Sequence, residues 1–337
     1  MRSIFSPTKN RSPKKIKSQE DDVQDKKTLL DKKWGYLSII AAMVFFGISS
    51  TLNKILLVDI NPISLAALSY IIAGTFLMII RFSPLKDKIL NILSHKTETE
   101  NIITYKDYGI LFLTAILGTV IAPIVFLNGL NNTTAVNASL LMNAETLFII
   151  IIGFFFLKER FVRKDIVGFL FLIVGTVFLI TNGQIENISI SQEIGNLLII
   201  GAAFFWSVDT SLGKFLSGKR DLLLISALKC VIGGLILFII SLFLNISFYI
   251  PFNKLPYLFI VGIVSIGFSF VLIYFAIREI GSARVGSIFP LSALFGAIFA
   301  FLILGEPFTI LQLLFGLLMF LGIFILYKNG KYRKDDK

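Results

Sequence analysis

Ten apolar runs, each about as long as a lipid bilayer is thick, constrain this chain more than any other feature. They cover residues 35–57, 62–82, 108–130, 134–157, 163–182, 194–216, 222–244, 255–277, 282–304 and 310–327. A run of 18 or more apolar residues is long enough to cross the roughly 30 Å hydrocarbon layer as a helix. The runs are continuously apolar, without the period-two alternation of barrel strands, so they predict helices. Only 16% of residues are charged, against about 25% in soluble domains. The expected fold class is an all-α polytopic membrane protein with ten transmembrane helices.

The net charge of +11 would suit nucleic acid if it were spread over one face, but it is partitioned by loop. Ten Lys or Arg fall in residues 1–33, and further clusters lie at 81–106, 158–164, 214–220, 278–284 and 328–337. The intervening loops, LVDIN (57–61), NNTT (131–134), TNGQIENISISQE (181–193) and GEPFT (305–309), carry none, and Lys54 and Lys254 are the only basic residues near that other face. Basic loops stay cytoplasmic, so both termini are expected inside and the span count even. Nucleic acid is not expected as a partner; the lipid bilayer is. Residues 1–33 are Lys- and Ser-rich with little to bury and read as a disordered cytoplasmic tail rather than a signal peptide, and 328–337 as a second basic tail. The single Cys230 excludes an intramolecular disulfide. His95, the only histidine, falls in a polar loop, so no histidine relay is available. Asn187 and Asn245 open N-x-S triplets in outside loops, which matter only in a secretory eukaryotic setting.

An internal repeat underlies the ten runs. FFGISSTLNKIL (45–56) aligns with FWSVDTSLGKFL (205–216) at an offset of 160, which continues through ALSYIIAG (67–74) and ALKCVIGG (227–234). FFFLKERF (154–161) matches FLILGEPF (301–308) at an offset of 147, and Gly175 and Gly322 follow Glu159 and Glu306 at equal distance. Two five-helix units are expected, at 34–182 and 194–327. Five is odd, so the second unit enters the membrane from the opposite side, an inverted-topology repeat of the kind that builds alternating gates in secondary transporters.

LNK and its copy LGK at the ends of the matched helices, LGEP at 304–307 and the glycine-studded LFGLLMFLGIFIL of the last span resemble the EamA-type drug/metabolite transporter superfamily. The resemblance covers about 35–327. It implies a carrier of small metabolites such as amino acids, other organic solutes or drugs, working as exporter or exchanger without a bound cofactor. The chain departs from that pattern in three places. Asn143 stands where the second half has Pro290, LKER replaces LGE in the first copy, and the loop at 83–107 is long. The substrate does not carry over.

Charges inside the spans are the strongest site signal, since each costs about 2.5–3.5 kcal/mol at mid-bilayer. Glu145 is the only charge between Ala135 and Leu157. It is expected to face a cavity and bind substrate or a proton, the structural alternative being a carboxyl that only holds packing. No partner for it stands out in the sequence. Ser139, Asn143 and Thr146 form a second polar stripe on the same helix, and Ser139, Asn143 and Ser292 join Glu145 as candidate substrate-binding residues. Asp209 and Lys229 lie at similar depth on successive spans and are expected to pair, as a fixed ion pair or as a gate that opens. The repeat equivalents of Glu145, Asp209 and Lys229 are Ser292, Ser49 and Ser69. Asn53 and Thr51, with Trp206 and Ser207 in the matched helix, are softer binding candidates. Trp206 suits a cavity wall or an interface anchor. Pro123 and Pro290 free backbone carbonyls, as tolerated beside a cavity. Glu159 and Glu306, just before the fifth and tenth spans, are read as structural carboxylates at helix N-termini, and Arg284 as a topology charge. Gly233, Gly234, Gly262 and Gly267 suit close helix packing.

No H-E-x-x-H, G-x-S-x-G or paired intramembrane aspartates occur, so neither an enzyme nor a metal or cofactor is expected. Nothing provides the charged or carbonyl rings of a channel. The expected function is a secondary transporter in the plasma or inner membrane, exporting a neutral, zwitterionic or cationic organic solute, with proton coupling compatible with Glu145. Alternatives are an exchanger or importer of an anionic sugar or nucleotide metabolite, for which Lys229 is the only deep cation, and a non-transporting receptor or scaffold. A homodimer is compatible with either.

Overall fold

The computed structural model describes residues 19–84, 105–157, 165–180, 190–216, 221–281, 285–286, 288–307 and 309–332, and the regular elements among them are all helices. Its helices are α1 (Gln19–Leu56), α2 (Pro62–Phe82), α3 (Tyr105–Asn132), α4 (Ala135–Leu141), α5 (Ala144–Leu157), α6 (Asp165–Ile180), α7 (Ile190–Leu216), α8 (Leu222–Phe243), α9 (Phe252–Ile280), α10 (Pro290–Leu304) and α11 (Ile310–Tyr332). Six of these contain spans long and apolar enough to cross a membrane: Lys33–Leu56, Pro62–Phe82, Tyr105–Asn132, Glu193–Gly213, Leu222–Phe243 and Phe252–Ile280. Where the sequence predicts the other four spans, the apolar helices are shorter.

Two expectations need correction. Helix α1 begins at Gln19 rather than near residue 34, because residues 19–33 contain neither glycine nor proline to stop a helix. The predicted span 134–157 is not continuous but breaks at Met142–Asn143 into α4 and α5. At the break the hydrogen bonds tighten to three-residue spacing, Glu145 N to Met142 O at 3.0 Å and Thr146 N to Asn143 O at 3.1 Å. The second half repeats the device at its own proline, where Ser292 N bonds Phe289 O at 2.9 Å. Pro290 opens α10 because it has no N–H to give and its fixed φ suits a first turn. Helix α3 handles Pro123 differently: a wide turn at Ile116–Ile121 precedes it, and α9 carries the same widening at Ile260–Phe268.

Packing between the halves is reciprocal. A methyl on Gly74 of α2 would meet Val231 and the backbone of Cys230, and one on Gly234 of α8 would meet Ile71 and the backbone of Tyr70. Each residue in the first contact is the repeat copy of one in the second, at the offset of 160. Gly175 against Phe315 and Met319 likewise mirrors Gly322 against Gly168 and Leu172. In both pairs the contacts advance along one helix as they recede along the other, so the copies run antiparallel about a twofold axis across the bundle. Glycine at these crossings lets helix backbones touch, which is where dispersion contributes most when lipid is the alternative neighbour.

Polar contacts mark the two ends of the bundle. At one end Arg81 Nε lies 2.6 Å from Asp221 Oδ2, and Asp221 also caps α8 through the amides of Leu223 and Leu224. At the other, Lys54 Nζ donates to the carbonyls of Leu130 (2.7 Å) and Thr133 (2.6 Å). The Glu306 carboxylate there accepts from Ala135 N (3.0 Å) and Val136 N (2.9 Å). Glu306 therefore caps α4, in the other half of the chain, and not the α11 that follows it. Glu159 and Arg284 fall outside the described residues.

Candidate functional site

Two cavities lie one above the other along the bundle. The larger, about 640 Å³, is toward the Glu306 end and is lined by Ser49, Ser50, Asn53, Ser69, Tyr70, Ser139 and Ser292 among apolar groups. The smaller, about 480 Å³, is toward the Arg81 end and gathers Glu145, Asp209, Thr210 and Lys229. Phe46 and Trp206 line both and form the partition, edge to face with centroids 6.2 Å apart.

The repeat relates one cavity to the other. At the offset of 160, Asp209, Thr210 and Lys229 map onto Ser49, Ser50 and Ser69, and Phe46 maps onto Trp206. At the offset of 147, Glu145, Phe270, Ile273, Tyr274 and Phe289 map onto Ser292, Pro123, Phe126, Leu127 and Met142. Of the smaller cavity's lining, Ile277 alone has a copy outside the larger one. The walls correspond position by position, yet one cavity has hydroxyls where the other has all of its charges.

In the charged cavity Lys229 Nζ, on α8, reaches both oxygens of Asp209 on α7, at 2.7 and 2.6 Å. The side chains are only 3% and 7% exposed. The ammonium also stands 4.6 Å from the Phe270 ring centroid and 5.8 Å from that of Tyr274, a favourable place for a cation. The sequence singled out no partner for Glu145, but Thr210 Oγ1 donates to its Oε1 at 3.1 Å. Gly118, in the wide turn of α3, makes room for the Asp209 carboxylate, and its carbonyl accepts from Trp206 Nε1 at 2.9 Å. This fixes the indole as a cavity wall.

The hydroxyl cavity is less satisfied. Asn53 Nδ2 donates to Ser49 Oγ at 3.0 Å and Ser292 Oγ to Phe289 O at 2.7 Å. Ser69 Oγ and Ser139 Oγ are buried without a hydrogen-bond partner, an arrangement that costs roughly 1–3 kcal/mol per group unless something enters to bond them. Of the predicted binding residues, Ser139, Ser292, Asn53 and Trp206 thus meet at this cavity, Glu145 at the other. Asn143 lines neither; it is buried at the α4–α5 break with both amide atoms unpartnered. Thr51 is buried and also unpartnered. Sequence reasoning missed Phe46, Ser50, Tyr70 and Thr210. Two of these were legible, since Phe46 and Ser50 are the repeat copies of Trp206 and Thr210 within the aligned FFGISS and FWSVDT segments.

Six helices long and apolar enough to cross a membrane, packed in one bundle, define a multi-pass integral membrane protein. Comparison with known proteins agrees. The EamA-like transporter family matches residues 33–181 and again 193–328, and the chain belongs to that family. An uncharacterized transporter of Methanothermobacter thermautotrophicus is 54% identical over 299 residues, covering 88% of this chain and 87% of its own. The uncharacterized transporter YyaM of Bacillus subtilis is 25% identical, covering 86% of this chain and 92% of its own. A solved crystal structure superimposes with a TM-score of 0.61 over 88% of this chain and 94% of its own, at 14% identity, a likeness of fold alone.

Proposed function

We propose that this chain is an alternating-access secondary transporter for a small neutral, zwitterionic or cationic organic solute such as an amino acid, bound where the two cavities meet at Phe46 and Trp206. The observation that carries this reading is the exchange of the cavities' walls under the internal repeat. In a carrier built from inverted repeats, each half in one state adopts the other half's conformation in the opposite state. Ten spans in two inverted units, with both termini and the Arg81 end cytoplasmic, complete the picture, and the direction proposed is export. A charged headgroup would meet Glu145, Asp209 and Lys229, while the neutral remainder would bond the free hydroxyls of Ser69 and Ser139. With two carboxylates against one ammonium already engaged, an anionic sugar or nucleotide is disfavoured.

The test is solute profiling, inside and outside, of cells carrying wild type, Glu145→Gln or empty vector at two pH values. One solute class should move with the wild type and fall by about 10-fold or more with Glu145→Gln, the scale of losing a charge-assisted contact. A pH-dependent wild-type flux that becomes flat in the variant would add proton coupling. If the wild type moves nothing from a broad panel, the carrier reading gives way to a non-transporting membrane protein.

A further inference from the structure

We propose that the Asp209–Lys229 pair is a one-sided latch that sets the resting orientation of the carrier, making the charged cavity the harder of the two to open. The proposal rests on the alternating-access reading and adds what biases it. An ideal inverted repeat has two states of equal energy, because exchanging the conformations of the halves gives the same structure turned over. Any preference must come from positions where the halves differ. At the matched helix pairs, α7–α8 and α1–α2, the largest such difference is Asp209 and Lys229 against Ser49 and Ser69.

The two pairs behave differently in the structure. Asp209 and Lys229 are bonded through both carboxylate oxygens and tie α7 to α8 across their cavity. Ser49 Oγ instead accepts from Asn53 on its own helix, and Ser69 Oγ has no partner, so no hydrogen bond between these serines ties α1 to α2. The latch is seated from a third side by α3. Gly118 leaves room for Asp209, Gly233 leaves room for Thr119, and Thr119 Oγ1 reaches Lys229 O at 3.4 Å. Opening the charged cavity parts α7 from α8 and separates two buried charges, whereas opening the other cavity parts two serines. Separated charges inside a membrane protein are far more costly than separated hydroxyls, so the side with the charges stays closed at rest.

The experiment reads orientation without requiring the solute. In a Cys230→Ala background, which removes the chain's only cysteine, the repeat-related single reporters Met142→Cys in the hydroxyl cavity and Phe289→Cys in the charged cavity are reacted with N-ethylmaleimide in purified full-length protein. With the latch intact, Met142→Cys reacts faster. Asp209→Ser with Lys229→Ser removes this difference between the halves, and the ratio of rates should fall by about 10-fold or more. Adding Ser49→Asp with Ser69→Lys moves the latch to the other half and should carry the ratio past unity, so that Phe289→Cys reacts faster. Should the double serine variant fail to fold, the exchange Asp209→Lys with Lys229→Asp keeps a latch and must keep the wild-type ratio. Ser49→Asp with Ser69→Lys on the wild-type chain then installs a second latch and must lower it. An unchanged ratio in folded variants overturns the latch. If that happens while solute flux persists, the carrier reading survives without it. If the ratio shifts in a protein that moves no solute, the carrier reading is what fails.

Discussion

Replacing Gly118 with alanine should destabilise this protein, although alanine is the better helix former. Helix propensity alone favours the change by about 1 kcal/mol. Against that, a methyl at Gly118 would overlap the Asp209 carboxylate and come 3.0 Å from its Cβ. The carboxylate has little freedom to retreat, since Lys229 holds both its oxygens at 2.6–2.7 Å. Overpacking a tight contact costs about 1–3 kcal/mol, and leaving the buried ammonium poorly bonded costs roughly another 1–3 kcal/mol. The net expectation is a loss of about 1–5 kcal/mol, or a fall of roughly 1–7 °C in thermal midpoint for a chain of this size. Differential scanning fluorimetry on Gly118→Ala, Asp209→Ser and the double variant measures it, and the double should lose clearly less than the sum because serine leaves room for the methyl. A Gly118→Ala protein as stable as wild type, or strict additivity in the double, would refute the steric account.

Gly74→Ala and Gly234→Ala should each cost about 1–3 kcal/mol and by similar amounts, because their methyls meet repeat-related atoms of the facing helix; thermal midpoints that differ widely would break the twofold argument. Glu306→Ala removes both acceptors from the first amides of α4 and should cost about 1–2 kcal/mol. Amide exchange should accelerate at residues 135–138 rather than along α11, which hydrogen-exchange mass spectrometry resolves. Gln312→Leu breaks the 2.7 Å bond to Asn137 Oδ1 and strands a buried acceptor at about 1–3 kcal/mol. Combining it with Asn137→Leu should recover part of that loss in the melting temperature.

The helices were legible because their signal is cumulative: apolar runs of bilayer length leave helix as the only structure that satisfies the backbone. The α4–α5 break was not, since Met142–Asn143 carries neither glycine nor proline, and only comparison with Pro290 in the other half hints at it. The pairing of Asp209 with Lys229 follows from a general rule that buried charges seek partners, and depth along two successive spans narrows the choice. Thr210 as the partner of Glu145 was beyond reach, because it depends on how α5 crosses α7, which no single-chain pattern encodes. Glu306 was misplaced for a related reason. A carboxylate beside a helix start in sequence is a natural cap for that helix, yet the chain turns it onto the start of another. The cavities themselves were half visible, since the repeat alignment already matches Glu145, Asp209 and Lys229 of one with Ser292, Ser49 and Ser69 of the other.

Phe46 and Trp206 have a standing that no other pair in the cavities shares, because the repeat exchanges them and leaves their contact where it was. Substitutions can therefore be sorted by parity. A double change that removes this contact is even: it alters both orientations alike, so to first order it moves the barrier between them and the speed of the cycle. A change at Asp209, Lys229, Ser49 or Ser69 is odd, weighting one orientation against the other. Kinetic and equilibrium defects in this protein should segregate accordingly, by distance from one aromatic contact.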